Sequence, residues 1–230
     1  MCNLLSGTVE AVIIGLGHPR CGTGFTASLL EQHGLAVGHE DVGADGLVSW
    51  MQVAKRQSPP WGTNLAEFPP GATVFLVARS PLSALNSVAT ENQQIRSIGF
   101  RGEVIWERCG VDIFAADNQS GDPAIYDFLG WAVMSMAYWY EMCFEEKPEL
   151  VYRVEQPRDD ELLGELVGRE IVRKNKKIWR NAYGKHKVSE RLEYPMDELG
   201  RVPKQHLARL VDVTDRLGYP DEAKILGSYL

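Results

Sequence analysis

The chain has 230 residues, 44% of them hydrophobic, enough to close one sizeable core, and one domain over residues 1–230 is the simplest division. A formal net charge of −7 argues against a general nucleic-acid binder, which carries a basic stripe. Four cysteines, Cys2, Cys21, Cys109 and Cys143, have neither metal-ligand spacing nor the look of a disulfide framework, and imply a reducing compartment.

In chain order, residues 1–5 lack a basic leader and the apolar run at 11–14 is short, so no signal peptide is expected. That run reads as a buried strand. It feeds Gly15-Leu16-Gly17-His18-Pro19-Arg20-Cys21-Gly22-Thr23-Gly24-Phe25 and then a helix. A helix start presents unpaired N–H groups and the positive end of its dipole, and glycine lets an anion approach the backbone, so this turn suits a phosphate-like group. Gly17 and Gly22 bracket four residues as in a nucleoside-triphosphate loop, but Lys and Ser or Thr should follow, and Thr23 and Gly24 stand there. The cation is Arg20 instead. Read alone, the glycines also fit an ordinary strand-to-helix turn.

A short second strand at 34–38 closes on His39-Glu40-Asp41, and a polar stretch with a helix near 47–55 follows. Breakers mark loops at 57–62 and 118–123. The β-rich run at 73–78 predicts another buried parallel strand, ending at Arg79-Ser80-Pro81-Leu82-Ser83-Ala84-Leu85-Asn86-Ser87. Arg79 at a strand end offers a planar fork of donors, and Ser87, two turns into the next helix, can reach the same anion. Pro81 suits the first helical turn. The middle of the chain, including 100–126, reads as irregular. A buried helix is expected within 125–144, where Asp127 and Glu141 argue against a membrane span, then a strand at 149–155. Helical periodicity at 162–167 and 204–217 ends at Gly218 with Pro220 beyond. Alternating strands and helices predict a parallel α/β sheet. The basic stretch 173–187 fits either a solvated helix face or an anion cover, and no residue in it is assigned.

Pro19-Arg20-Cys21-Gly22-Thr23 after a first strand resembles the Pro-(Lys/Arg)-Ser-Gly-Thr loop of sulfotransferases that use 3′-phosphoadenosine 5′-phosphosulfate (PAPS), with Cys21 filling the serine position. Arg79 and Ser87, eight residues apart, are similar to that family's 3′-phosphate segment, and Gly38-His39-Glu40 to the Gly-Glu-Glu of its tyrosylprotein-type members. The resemblance covers the chain up to about residue 90. It implies a three-layer, P-loop-like parallel sheet flanked by helices and transfer of a sulfuryl group from PAPS to a small-molecule or glycan hydroxyl, releasing 3′-phosphoadenosine 5′-phosphate (PAP). By the same resemblance Arg20, Cys21, Gly22, Thr23 and Gly24 hold the 5′-phosphosulfate, Phe25 stacks on adenine, and Arg79 and Ser87 hold the 3′-phosphate. Arg20 is then catalytic, Glu40 is the base and His39 its competitor, with no metal, in a cytoplasmic protein free of the membrane. The acceptor would bind near Trp61 and residues 100–126, and its identity stays open. A P-loop nucleotide kinase or triphosphatase, or a catalytically inactive nucleotide-binding protein, is the alternative.

Overall fold

The structure, a computed structural model, describes residues 12–56, 59–114, 126–173 and 193–230. Strands β1 (Ile13–Gly17), β2 (Val37–His39), β3 (Gly46–Val48), β4 (Thr73–Ala78) and β5 (Leu150–Arg153) form one all-parallel sheet in the order β2-β3-β1-β4-β5. The helices are α1 (Thr23–Gln32), α2 (Pro81–Glu91), α3 (Ile95–Cys109), α4 (Trp131–Glu145), α5 (Asp159–Val167), α6 (Lys204–Arg216) and α7 (Pro220–Gly227). This is the α/β class that the alternation predicts.

Successive strand residues point to opposite faces of a sheet, so a strand covered on both faces must be apolar at every position. Ile14, Leu16, Val74, Leu76 and Ala78 enter one core with Leu85, Ile98, Trp139 and Leu210 from α2, α3, α4 and α6. Ile13, Val48, Phe75, Val77 and Tyr152 enter the other with Leu29 and Leu30 of α1 and Leu163 of α5. The sheet is therefore the middle of three layers. Each fully buried aliphatic or aromatic side chain contributes about 1.5–3 kcal/mol relative to exposure.

The segment near 47–55 differs from its expected helix. Residues Gly46–Val48 form β3, and only Met51–Ala54 make a single 3₁₀ turn. Parallel neighbours normally need a crossover of about a dozen residues, yet β2 and β3 are joined through residues 40–45. Glycine makes so tight a return possible: a Cβ on Gly38 would lie 1.8 Å from the Asp41 carbonyl oxygen, and one on Gly46, at φ 139°, 1.9 Å from that of Ile13.

Three further differences have physical causes. The second strand is Val37–His39, later than 34–38. The middle is not irregular throughout: α3 buries Ile98, Phe100, Val104 and Ile105, its periodicity masked by interleaved arginines and by Gly99 and Gly102. A Cβ on Gly102 would meet the Phe114 ring at 2.4 Å, so that glycine is a packing choice. Beyond Gly218, Pro220 starts a helix instead of only ending one, because proline at the first helical position loses no hydrogen bond.

Parallel strands end on one side, so the loops after β1, β2, β4 and β5 share an edge of the sheet. The chain runs from β1 to β2 and β3 on one flank and then to β4 on the other, which makes β1 the switch point where open α/β sheets bind ligands. Gly17 is in register with Val77, which sets the turn after β1 beside Arg79. Among the described residues no helix is long and apolar enough to cross a membrane.

Candidate active site

The turn after β1 is closed by the Cys21 N–H, which donates to the His18 carbonyl at 3.1 Å. Arg20 sits at φ 67°, a left-handed conformation costly to a residue with a side chain. Gly22, at φ 101°, caps α1, and a Cβ there would strike Val154 at 2.7 Å. The first helical bond runs from Thr26 N–H to the Gly22 carbonyl at 2.9 Å. The N–H groups of Thr23, Gly24 and Phe25 thus open the helix without an intrahelical acceptor. They face the edge where an anion would sit. Cys21 departs from its expected role as a donor: its N–H is used inside the turn. Its thiol is fully buried, and burial pushes its pKa up to about 11, so it is an inert filler.

Arg20 joins the two expected anion segments. Its Nε donates to Ser87 Oγ at 3.2 Å, and Arg79 Nη1 lies 3.5 Å from the Arg20 carbonyl oxygen. Arg79 Nε is 3.6 Å from Glu155 Oε1, just past β5. Glu155 is itself fixed, accepting from the Ser80 N–H at 3.0 Å and from the Tyr219 hydroxyl at 2.9 Å. Ser87 is nearly buried and its hydroxyl is engaged with Arg20, whereas the Arg79 side chain is 34% exposed. The Ser80 side chain caps α2 by accepting from the Ser83 N–H at 3.2 Å, with Pro81 in the first turn.

An adjoining wall comes from the end of β2. His39 Nε2 is 3.4 Å from Thr23 Oγ1 and 3.8 Å from Glu40 Oε1. Trp50 Nε1–H donates to the same Glu40 oxygen at 2.8 Å. Glu40 is left-handed at φ 61°, held by its own N–H to the Val48 carbonyl at 3.3 Å and by Thr63 N–H to its carbonyl at 2.8 Å. Between these walls lies a cavity of about 200 Å³ lined by Arg20, Thr23, Gly24, His39, Glu40, Trp50, Trp61, Glu91, Gln94 and Ser97. Both candidate bases therefore open onto the space that the anion loop borders.

Phe25 is half-buried against the α1 core, and the Arg173 guanidinium lies 5.3 Å from its ring centroid. Arg173 is the one described residue of the basic stretch 173–187, the others lying outside the described residues. It is a brace, with Nε at 2.5 Å and Nη2 at 2.7 Å from the Asp160 carboxylate and Nη1 donating to the Val154 carbonyl at 2.7 Å.

Sequence reasoning missed the network under the loop. Arg101, fully buried, donates through Nη2 to Glu91 Oε2 at 2.5 Å and to Asn92 Oδ1 at 2.7 Å, and its Nη1 lies 3.2 Å from His18 Nε2. Burial first, then the Arg101 charge, holds His18 well below its ordinary value near 6.5. The ring is neutral, which assigns Nδ1–H to donate to the Pro19 carbonyl at 2.9 Å and leaves Nε2 to accept from Arg101. Burial likewise lowers the Arg101 pKa, opposed by Glu91. No motif signals this set, because Arg101 falls in the stretch read as irregular.

Comparisons with protein-family models, curated proteins and solved structures returned no match. Among the described residues no group of three His, Cys, Asp or Glu is placed to hold a metal ion.

Proposed function

We propose that this protein is a sulfotransferase that moves a sulfuryl group from PAPS to a hydroxyl acceptor. The observation that carries the reading is the junction at Arg20: one residue in the helix-opening turn meets Ser87 through its side chain and Arg79 through its carbonyl, at the switch point of the sheet. Two candidate anion-binding elements, 59 and 67 residues apart in the chain at these contacts, thus lie side by side, as a nucleotide with phosphates at both 5′ and 3′ positions requires.

The residues fit the donor at its 5′ end, where Thr23 and Gly24 at the start of α1 border the cavity beside the Arg20 cation. At the 3′ end the fit requires an exchange of partners. Arg79 must turn from Glu155 to phosphate, and Ser87 must share its hydroxyl between Arg20 and phosphate. In the transfer, the acceptor oxygen forms a bond to sulfur as the bond from sulfur to the 5′-phosphate oxygen breaks. The leaving oxygen keeps the electron pair, and Arg20 neutralises the charge that grows there. The acceptor proton passes to Glu40, with His39 3.8 Å away as the competing base.

A P-loop kinase would need a loop lysine, and residues Gly17 to Gly24 contain none. Thermal stabilisation separates the readings, since a ligand that binds the native state raises its stability by mass action. PAP should stabilise the protein more than AMP or ATP with Mg²⁺. A larger shift with ATP and Mg²⁺ would discard the sulfotransferase reading in favour of the kinase, and PAP binding without turnover on any hydroxyl acceptor would leave a nucleotide-binding protein.

A further inference from the structure

Part of the cavity lining is built from groups that neither the proposed donor nor the proton transfer uses. Ser97, at the start of α3, is 1% exposed and lines the cavity, and its Oγ has no hydrogen-bond partner among the described residues. A buried hydroxyl left unpaired carries its full desolvation cost, and native proteins keep few of them. Beside it stand the Gln94 side chain, which makes no capping bond to α3, and Glu91, whose carboxylate is anchored on Arg101. Trp50 and Trp61 add an aromatic part to the lining. Trp50 is locked by its bond to Glu40, by Trp139 Nε1–H donating to its carbonyl at 3.0 Å, and by Trp61, whose ring centroid is 6.0 Å away. Arg96 fixes Trp61 in turn, with its guanidinium 5.2 Å from the ring centroid and Nη2 donating to the Pro60 carbonyl at 2.8 Å.

We infer that this cavity takes a polyhydroxylated six-membered ring, a glycoside or a cyclitol, with one face on Trp61 and neighbouring hydroxyls on Ser97, Gln94 and Glu91. Three side chains of different donor and acceptor character, a hydroxyl, an amide and a carboxylate, match a ring that carries several hydroxyls. A phenol or an alkyl alcohol has one hydroxyl, which transfer would engage at Glu40, and leaves that lining unmatched. Size agrees: about 200 Å³ falls below the roughly 300–1,000 Å³ of pockets for drug-sized ligands, room for one ring. The reaction assigned to that ring rests on the sulfuryl-transfer reading, whereas its binding does not.

Saturation-transfer NMR on the full chain, with methyl β-D-glucopyranoside, myo-inositol and phenol as separate probes, tests this with and without PAP. At least one of the two polyols should bind saturably, the responding one telling glycoside from cyclitol. Trp61→Ala should abolish that binding, and Ser97→Ala should weaken it about fivefold. Ser97→Ala is its own folding control: removing an unpaired buried hydroxyl should leave the thermal midpoint unchanged or raised, and the PAP-induced shift intact. Phenol binding without either polyol overturns the inference, as does a Ser97→Ala protein that loses stability yet binds polyol normally. Loss of the PAP shift alone sinks the donor reading and spares this one.

Discussion

Replacing Arg79 tests the proposed donor site at its most specific contact. Arg79 is held loosely, 3.6 Å from Glu155 Oε1 and 3.5 Å from the Arg20 carbonyl oxygen, with a third of its side chain in solvent. A hydrogen bond to a charged partner contributes about 1.5–3 kcal/mol. Binding a 3′-phosphate exchanges one charged partner for another, so the net loss on Arg79→Ala falls at the lower end, about 1.5 kcal/mol, or roughly a tenfold rise in the Kd for PAP. AMP, which lacks that phosphate, should bind as before. Glu155→Gln should act in the opposite sense. It removes the competing charge while the amide oxygen still accepts from Ser80 or Tyr219, and exposed ion pairs of this kind contribute about 0.2–1 kcal/mol after screening. PAP should therefore tighten by about 1.4- to 5-fold. Titration calorimetry with PAP and AMP on the three proteins reads both effects. Equal losses for the two nucleotides in Arg79→Ala, or weaker PAP binding in Glu155→Gln, would refute the reasoning.

Arg20→Ala should lower turnover by more than it weakens PAP binding, since it meets charge that grows during transfer; a matched loss in both would place Arg20 in ground-state binding only. Glu40→Gln should spare PAP binding and cut the rate by about 10²–10⁴, with His39→Asn doing less, and steady-state rates showing the reverse order would make His39 the base. Gly38→Ala forces a Cβ to within 1.8 Å of the Asp41 carbonyl oxygen; a cost of about 2–4 kcal/mol should lower the thermal midpoint by roughly 5–15 °C, and an unchanged midpoint would refute the tight β2–β3 return. His18 has a folded pKa below its ordinary value near 6.5, so the unfolded chain binds the proton that the native one refuses. Stability from His18 is then complete above that value and falls as pH drops below it, by up to about 1.4 kcal/mol per pH unit. His206, also shifted down by burial, adds to the slope. Urea midpoints between about pH 7.5 and 5.5 should show a shallower dependence in His18→Gln, and identical slopes would remove the buried neutral histidine.

The parts legible in the sequence are those where one local rule decides. Thr73–Ala78 is a strand because every residue is apolar or β-branched and both faces are covered, and Ser80 as cap with Pro81 in the first turn starts α2. The loop after β1 follows from glycine placement alone. The sequence was silent where tertiary packing overrides pattern. Gly46 reads as a turn residue, yet it is paired with Ile13 in the sheet because no other residue fits against that strand. In α3, Arg101 occupies a core position, which no hydrophobic count anticipates, since its charge is carried by Glu91 across one turn of the α2–α3 junction. The candidate acceptor lining fails to appear for the same reason: Glu91, Gln94 and Ser97 are ordinary helix-end residues until the fold brings them into one cavity with Trp50 and Trp61.

Backbone strain distinguishes the site from the rest of the chain. Among the described residues, four that are not glycine have positive φ: Arg20, Glu40, Lys55 and Lys147. Two of these close helical turns, Lys55 after the 3₁₀ turn and Lys147 after α4, where a left-handed residue is a routine way to satisfy the last carbonyls. Arg20 and Glu40 close no helix. Each costs about 1–3 kcal/mol and persists because its surroundings over-determine it: the Cys21 to His18 turn and the Arg79 contact around Arg20, and Val48, Thr63 and Trp50 around Glu40. His18 ties the first of these to Arg101, and Arg101 ties it to Glu91 in the cavity wall. A single buried guanidinium thus braces the turn after β1 and the Glu91 side of the cavity together; in the proposed transfer this would fix the distance between donor and acceptor, the one dimension that an in-line displacement cannot leave loose.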